Sequence, residues 1–548
     1  MPDGYYSGDQ PNSRLRDFVE AHLAQHPYDP EDDTYNVPAF TKPIETTKAT
    51  AIYNMHTYWS KKPHDAIRQY IHHYTQPGDL VLDSFCGSGG TALAALMEGC
   101  AAIAIDRSPA ATFITKNYCT PVDTIALRRA FEELKKQVQP EIDWLYATRC
   151  ERCGGPATTA YTVYSQVFEC PRCLNRVPLF DCPVEKIQDT QGKQKEITVC
   201  PHCQQQGNIE EISTRAKRFG AVPVLVNYHC RGKCKPARSE RRHNDEDAKK
   251  REYFEKYDLA KIREIEAKEI PHWYPTQKMM NVADDTKPWG VKWRAGTSNF
   301  RTVDELFTKR NLWALAAILE ECKASKAADA LLCVFQGNIL NGTKMQRYRE
   351  GGGGFANGTY YLPQLSLERE QLGCFARKFE DITSAQIEIQ KGVKITEIII
   401  STQSSTGLPN VPSNSIEYIF TDPPYADKVQ YGELNFVWEA WLNFDTNWHQ
   451  DEIIVNSIRG KGEEEWTAMM KHAMAECYRV LKPGRWLSLC YHDTAEGTWA
   501  QIQDMMAEVG FVADASDSVL YIDATQKSYN QLTADKITKR DLVINFRK

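Results

Sequence analysis

No run of 18 or more apolar residues occurs in the 548-residue sequence, which argues against a membrane-spanning helix. Its start, Met-Pro-Asp-Gly-Tyr-Tyr-Ser, has neither the basic nor the apolar region of a secretory leader, so a cytoplasmic protein is expected. Excess basic charge is also missing: 66 Lys and Arg face 72 Asp and Glu, for a formal net charge of −6. A polynucleotide would therefore have to meet a local positive face. There is no repeat of 20–50 residues and no nuclease or helicase signature, so any cleavage activity would reside in other chains. What remains is a globular balance, 42% hydrophobic and 25% charged. At about 150 residues per domain the length suggests three or four units.

With no secretory signal expected, the seventeen cysteines should remain reduced, and clusters of them point to metal before disulfides. Eight are paired: Cys150/Cys153, Cys170/Cys173, Cys200/Cys203 and Cys230/Cys234. The other nine are scattered and expected in cores. Each knuckle presents two thiolates from a tight turn, and two knuckles close a tetrahedral Zn2+ site. Eight thiolates suffice for two ions. Spacing leaves the pairing open between neighbouring knuckles and a nested arrangement, outermost with outermost and inner with inner. A closed four-thiolate shell implies a structural metal that does not activate water.

Leu80-Val81-Leu82-Asp83 reads as a short buried strand. Phe85-Cys86-Gly87-Ser88-Gly89-Gly90-Thr91 follows as a tight turn, Ala92–Glu98 as a helix, and Ala101–Ile105 as a second strand ending at Asp106. Strand, glycine turn, helix, strand and acid open a doubly wound nucleotide-binding sheet. Gly87 and Gly89 admit close backbone approach to a ligand, and Asp106 can accept from a ribose diol. Gly87 through Ala92 also fits G-x-G-x-x-A, so the segment alone leaves S-adenosylmethionine (SAM), a nicotinamide dinucleotide and plain turn chemistry open. No Gly-Lys-Ser/Thr follows, which excludes a Walker loop.

The sheet rhythm stops after about Thr120 and resumes with strands at Ile398–Ser401 and Ile416–Phe420. The second runs into Asp422-Pro423-Pro424-Tyr425, at a sheet edge where ligands sit. Two prolines cannot extend the ladder and stiffen the chain, fixing the Asp422 carboxylate as an acceptor for an exocyclic amine. Tyr425 would offer a face on which an extruded base stacks. A helix with Trp466, Met470, Ala473 and Cys477 on one face, stopped by Pro483-Gly484, precedes strands at Trp486–Tyr491, Val519–Ile522 and Leu542–Phe546.

These two motifs resemble those of DNA amino-methyltransferases, which act on exocyclic nitrogens of adenine or cytosine. Asp83 to Gly89 is similar to their SAM motif and Asp422 to Tyr425 to their catalytic motif. His56–Pro63, with Trp59, Lys61 and Lys62, resembles the segment lining the methionine end of the cofactor. The knuckles and Phe420–Trp441 are most similar to adenine-specific methylases with zinc ribbons, often found in bacterial and archaeal restriction or phage-defence loci. The resemblance covers about 51–200 and 300–548. It implies a class I methyltransferase (Rossmann-like) sheet interrupted by a large insertion with zinc ribbons. Asp106 would lie on the ribose and Phe85 near the methionine, with double-stranded DNA and defence-system subunits as partners. The implied organisation is an arm (1–50), a SAM-binding part (51–120), a zinc-ribbon insertion (121–240), a target-recognition or helical insertion (241–390) and a catalytic part (391–548). One departure is Ser401-Thr402-Gln403-Ser404-Ser405, where relatives often carry an acid near the adenine ring.

Weaker candidates have two readings each. Arg149, Arg152, Arg172 and Arg176, the run Arg231–Arg251 (nine Lys/Arg against four acids), and Lys344, Arg347, Tyr348 and Arg349 before Gly351–Gly354 could contact phosphates or be solvated faces. Thr302-Val303-Asp304-Glu305 is a capping-box pattern for a helix with Leu312, Leu315, Ala316 and Leu319 on one face. Trp438 and Trp441 read as core. His492 beside Asp493 reads as a structural histidine before an active-site one. Beyond N6 of adenine, the open functions are cytosine-N4 or RNA methylation, or a non-catalytic zinc-ribbon DNA-binding subunit.

Overall fold

The computed structural model describes residues 1–188, 194–213, 218–279, 300–349, 354–355, 358, 360–491, 496–513, 520–524 and 541–548. His492, Asp493 and Gly351–Gly353 lie outside these. The chain forms two units, one of residues 1–128, 329–337 and 378–548, the other of 129–328 and 338–377.

In the first unit the described residues build a nine-stranded mixed sheet. Five central strands run parallel in the order Leu481–Tyr491, Ile416–Thr421, Leu80–Asp83, Ala101–Asp106, Ile398–Thr402. Asp541–Arg547 joins antiparallel beside Leu481–Tyr491, followed by Leu520–Ala524 and Ile44–Thr46. Leu80-Val81-Leu82 is apolar throughout because a parallel strand is covered on both faces. From this strand the chain steps outward through Ala101–Asp106 to Ile398–Thr402 on one side, and through Ile416–Thr421 to Leu481–Tyr491 on the other. The topological switch therefore falls between the strand ending in Asp83 and the strand ending in Thr421, where a crevice opens beyond the carboxyl ends.

The helix Glu463–Val480 buries Trp466, Met470, Ala473 and Cys477 against Leu80, Ile103, Ile419 and Leu487, the face expected from their spacing. Burying each large apolar side chain contributes roughly 1.5–3 kcal/mol. Two expectations need correcting. Residues 1–50 are not a free arm: helix Leu15–Gln25 buries Leu15 and Val19, and Ile44–Thr46 pairs with Ile522–Ala524. A single i,i+4 apolar pair is too brief to register as a period. The strand expected from Trp486 begins at Leu481, because Gly484, at φ 74°, lets the chain turn through the Pro-Gly step without leaving the sheet.

The second unit is built on a long antiparallel pair, Pro156–Glu169 with Arg218–Cys230, flanked by Arg238–Arg242 and Leu365–Arg369. The helix carrying Leu312, Leu315, Ala316 and Leu319 starts at Lys309, not after Thr302. Thr308 caps it through Asn311 N–H, while Asp304–Leu306 forms a 3-10 turn. Glu305 instead accepts from Arg301 N–H. Among the described residues no helix is long and apolar enough to cross a membrane.

Candidate active site and cysteine clusters

At the switch point the first unit has a cavity lined by Trp59, Lys62, Asp83, Phe85, Gly87, Asp106, Asp422 and Pro424, among others. The glycine turn and the Asp-Pro-Pro-Tyr tetrad thus reach one space. Strand register explains it. Leu82 pairs with Ile419, so Asp83 and Thr421 end side by side, and Thr421 Oγ1 donates to Asp83 Oδ1 at 3.0 Å. Asp83 also accepts from Phe85 N–H at 3.1 Å, which bends the chain into the turn. Burial pushes the Asp83 carboxyl up to about 7, against hydrogen bonds from Thr91, Phe85 and Thr421.

Asp106 spans the other side of the turn. Its oxygens accept from Gly87 N–H and Ser108 N–H, each at 2.9 Å. Burial raises its carboxyl to about 6, and these backbone donors oppose the rise. Gly87 has φ +49°, and a Cβ there would lie 2.9 Å from the Tyr58 ring, so glycine lets the turn close over the cavity edge. Gly89 differs from expectation. It does not line the cavity, and a Cβ on it would meet Thr115 Cα at 2.9 Å. Its freedom serves the packing of two helices, not a ligand.

At Asp422 the electrostatics are set by a buried lysine. Lys62 Nζ lies 2.9 Å from Asp422 Oδ2 and 3.4 Å from Asp541 Oδ1. Burial works against the ammonium, but the two carboxylates hold its proton well above the ordinary lysine value. Lys62 was expected at the methionine end of a cofactor; its ammonium instead faces the tetrad. Tyr425 also departs from expectation. It is buried in the core, edge-on to Tyr491, with its hydroxyl donating to Asp422 Oδ1 and lying 2.8 Å from the Cys490 carbonyl oxygen. Its ring therefore offers no face to a base. The ring packs in the apolar core against Tyr491, at the end of the neighbouring parallel strand Leu481–Tyr491. Pro423 is buried too, and only Asp422 and Pro424 of the four line the cavity.

Several wall residues carry no motif: Tyr58, Tyr431, Trp448, Asp451, Glu452 and Ile453. Tyr431, partly exposed, feels the Asp422 charge. The Arg107 guanidinium pairs with Asp451 at 2.8 Å and lies 5.8 Å from the Trp448 ring. Behind the wall, Trp59 Nε1 donates to Asn435 Oδ1 at 2.9 Å, Asn435 Nδ2 to Ser108 Oγ at 3.0 Å, and Ser108 Oγ to Glu439 Oε1 at 2.7 Å. Burial lifts Glu439 to about 8, so near neutral pH it is largely protonated. Trp438 and Trp441 are core, as their setting suggested. Ser404 and Ser405 reach the cavity from the segment that departs from the family pattern.

The knuckles of the second unit settle on the nested arrangement. Cys150, Cys153, Cys230 and Cys234 converge in one cluster, and Cys170, Cys173, Cys200 and Cys203 in another. Sγ pairs stand 3.6–3.8 Å apart. Four thiolates about 2.3 Å from a central zinc would be separated by about 3.8 Å, so both clusters fit a tetrahedral ion. The cause is the long ladder. Ala157 pairs with Cys230 at one end and Phe168 with Arg218 at the other, which separates the outer knuckles from the inner ones by roughly 40 Å of strand. The nine remaining cysteines are all buried thiols.

Residues 16–117 match the profile of the DNA methylase family. That stretch holds the His56–Pro63 segment and the glycine turn, so the resemblance read from the motifs is borne out there, and the match supports an amino-methyltransferase. No curated protein matches the chain. Among solved structures it is similar to a 16S rRNA (adenine(1408)-N(1))-methyltransferase from Catenulisporales acidiphilia, at 10% identity and a TM-score of 0.17. That alignment covers 29% of this chain and 65% of the other. A second likeness is to an antibiotic-related methyltransferase, at 9% identity and a TM-score of 0.17, covering 31% and 71%. Likenesses this slight carry no argument about activity.

Proposed function

We propose that the protein is a SAM-dependent DNA methyltransferase acting on an exocyclic amine of an extruded base, with adenine N6 as the favoured target. The observation that carries this reading is the convergence of the glycine turn and Asp422 on one cavity at the sheet switch point. SAM, when bound, supplies an electrophilic methyl group. Gly87, Phe85 and Asp106 would hold it, with Asp106 accepting from the ribose hydroxyls and Trp59 closing the wall beneath. Asp422 accepts a hydrogen bond from the amine and orients its lone pair in line, and such positioning supplies much of the rate. Lys62, whose Nζ lies 2.9 Å from Asp422 Oδ2, holds that carboxylate in place. With Tyr425 turned inward, the base-stacking role passes to Tyr431, the partly exposed ring on the cavity wall beside Asp422. Two zinc ions would be structural, since four thiolates close each shell. A place in restriction or phage defence follows from the resemblance alone.

The test uses the full chain with methyl-labelled SAM and duplex DNA. Labelled N6-methyl-2′-deoxyadenosine should appear in the digested product, and Asp422→Ala should lower turnover by about 10³-fold while SAM binding survives. Labelled N4-methylcytosine would move the assignment to the other amine. Undiminished transfer by Asp422→Ala would overturn the mechanism.

A further inference from the structure

Away from the first unit's cavity, the second unit has a groove of about 760 Å³ along its sheet. The chain is acidic overall, yet this wall holds Arg238, Arg347, Arg349, Arg369 and Arg377 with a single acid, Glu370. We propose that this arginine groove is a binding site for the phosphate backbone of duplex DNA. The proposal rests on the DNA reading above for its ligand, but not for its geometry.

Sheet register builds the array. Tyr161 pairs with Asn227 on one side and Arg369 on the other. Arg238 donates to Asn227 Oδ1 at 2.8 Å, which holds its guanidinium 5.7 Å from the Tyr161 ring. Among the described residues the Arg347 side chain bonds the Gly354 carbonyl and Arg377 the Cys374 sulfur, at 3.3 and 3.1 Å. Among the described residues none of Arg238, Arg347 and Arg377 forms an ion pair. Glu370, the single acid of the lining, has its oxygens held by Leu372 and Gly373 N–H at 2.8 and 2.7 Å, and five arginines outnumber it. Five like charges gathered in a concavity around one lining acid are destabilising in isolation, and a phosphate chain relieves them. Guanidinium groups suit phosphate, because a planar fork of donors matches two oxygens at once. Arg241, three residues on from Arg238, has a different fate: it is fully buried and paired with Asp258 and Glu151. The excess of positive over negative side chains is therefore a property of the groove face.

The experiment measures binding of the full chain to a fluorescent 30-base-pair duplex, by anisotropy at stepped salt concentrations. Each phosphate that the protein ceases to neutralise should lower the slope of log Kd against log salt by about 0.9. Arg238→Gln/Arg377→Gln should therefore flatten the slope by about two and weaken binding at least tenfold near 0.1 M salt. Arg238→Lys/Arg377→Lys should keep the slope, and Arg263→Gln, an exposed arginine elsewhere, should change nothing. Unaltered SAM binding and bound zinc identify variants that still fold. A double Gln variant with wild-type slope and affinity overturns the proposal, as does tighter binding of an RNA duplex than of DNA. Groove-dependent binding without methyl transfer would sink the enzymatic reading and leave the groove standing. Methyl transfer with wild-type dependence on duplex concentration in the double variant would do the reverse.

Discussion

Each unit holds one buried cation between two carboxylates, and the two trios have opposite consequences. In the second unit Arg241 lies between Glu151 and Asp258, with side-chain exposures of 0%, 4% and 2%. Every donor has a partner: Arg241 also reaches Thr148 Oγ1 and the Arg149 carbonyl, at 2.6 and 2.7 Å. Glu151 lies inside the first knuckle, between Cys150 and Cys153, so this closed network fixes the turn that presents two thiolates. In the first unit Lys62 lies between Asp422 and Asp541, but those carboxylates are 21% and 19% exposed. There the ion trio has an open side, and that side is the cavity. A fully satisfied trio specifies structure, whereas one left partly open keeps an oriented carboxylate for another molecule.

Paired substitutions break the comparison most directly. Arg241→Met leaves two buried carboxylates without a cation and should destabilise the chain by about 3–5 kcal/mol, read as a shift of the urea midpoint with reduced zinc retention. Lys62→Met should cost no more than about 2 kcal/mol, because solvent reaches both acids. Its effect should fall on turnover, lowered about 10²-fold with SAM affinity kept, and Lys62→Arg should restore part of it. Equal stability losses with equal activities would erase the distinction drawn between the trios.

The same contrast explains what was legible from sequence. The glycine turn, Asp106 and Asp422 are local signals: a strand, a turn without Cβ and an acid at a strand end announce themselves within a dozen residues. So do the knuckles. Their nested pairing was not legible, because it depends on Ala157 meeting Cys230 across a ladder whose strands are some fifty residues apart in sequence. The far wall of the cavity, from Tyr431 to Ile453, comes from a helix start and a 3-10 turn, Asn447–Asp451. Neither has a spacing that marks a ligand. Gly89 and Tyr425 carry the right letters for a site but answer to packing, one against Thr115 and the other against Tyr491. Residue type set what could bind, and tertiary neighbours decided which side chains face the space. The Arg231–Arg251 run makes the same point: one reading suited Arg238 and neither suited Arg241.

The smallest expected effect sharpens the role of the open side. Asp106 is raised to about 6, above the ordinary carboxylate value of about 3.9. Below that point it is protonated and its carboxyl has less capacity to accept from a ribose diol, so SAM affinity should fall as pH drops from 7 to 5, by up to about tenfold. The slope alone cannot identify the group, since Asp83 is pushed to about 7 and burial draws Lys61 down to about 7 in the same cavity. Asp106→Asn separates them. It keeps an acceptor oxygen and removes the titration, so affinity near pH 5 should stay close to that of the unmodified chain while the rise through pH 6 disappears. Persistence of the full rise in Asp106→Asn would move the dependence to Asp83 or Lys61. Linkage gives a second readout with the same sign. An acid whose folded pKa lies above its unfolded value binds more protons when folded, so it lowers stability as pH rises from about 4 to about 6. Asp106→Asn should remove that decline too, leaving the longer one from Asp83, which continues to about pH 7.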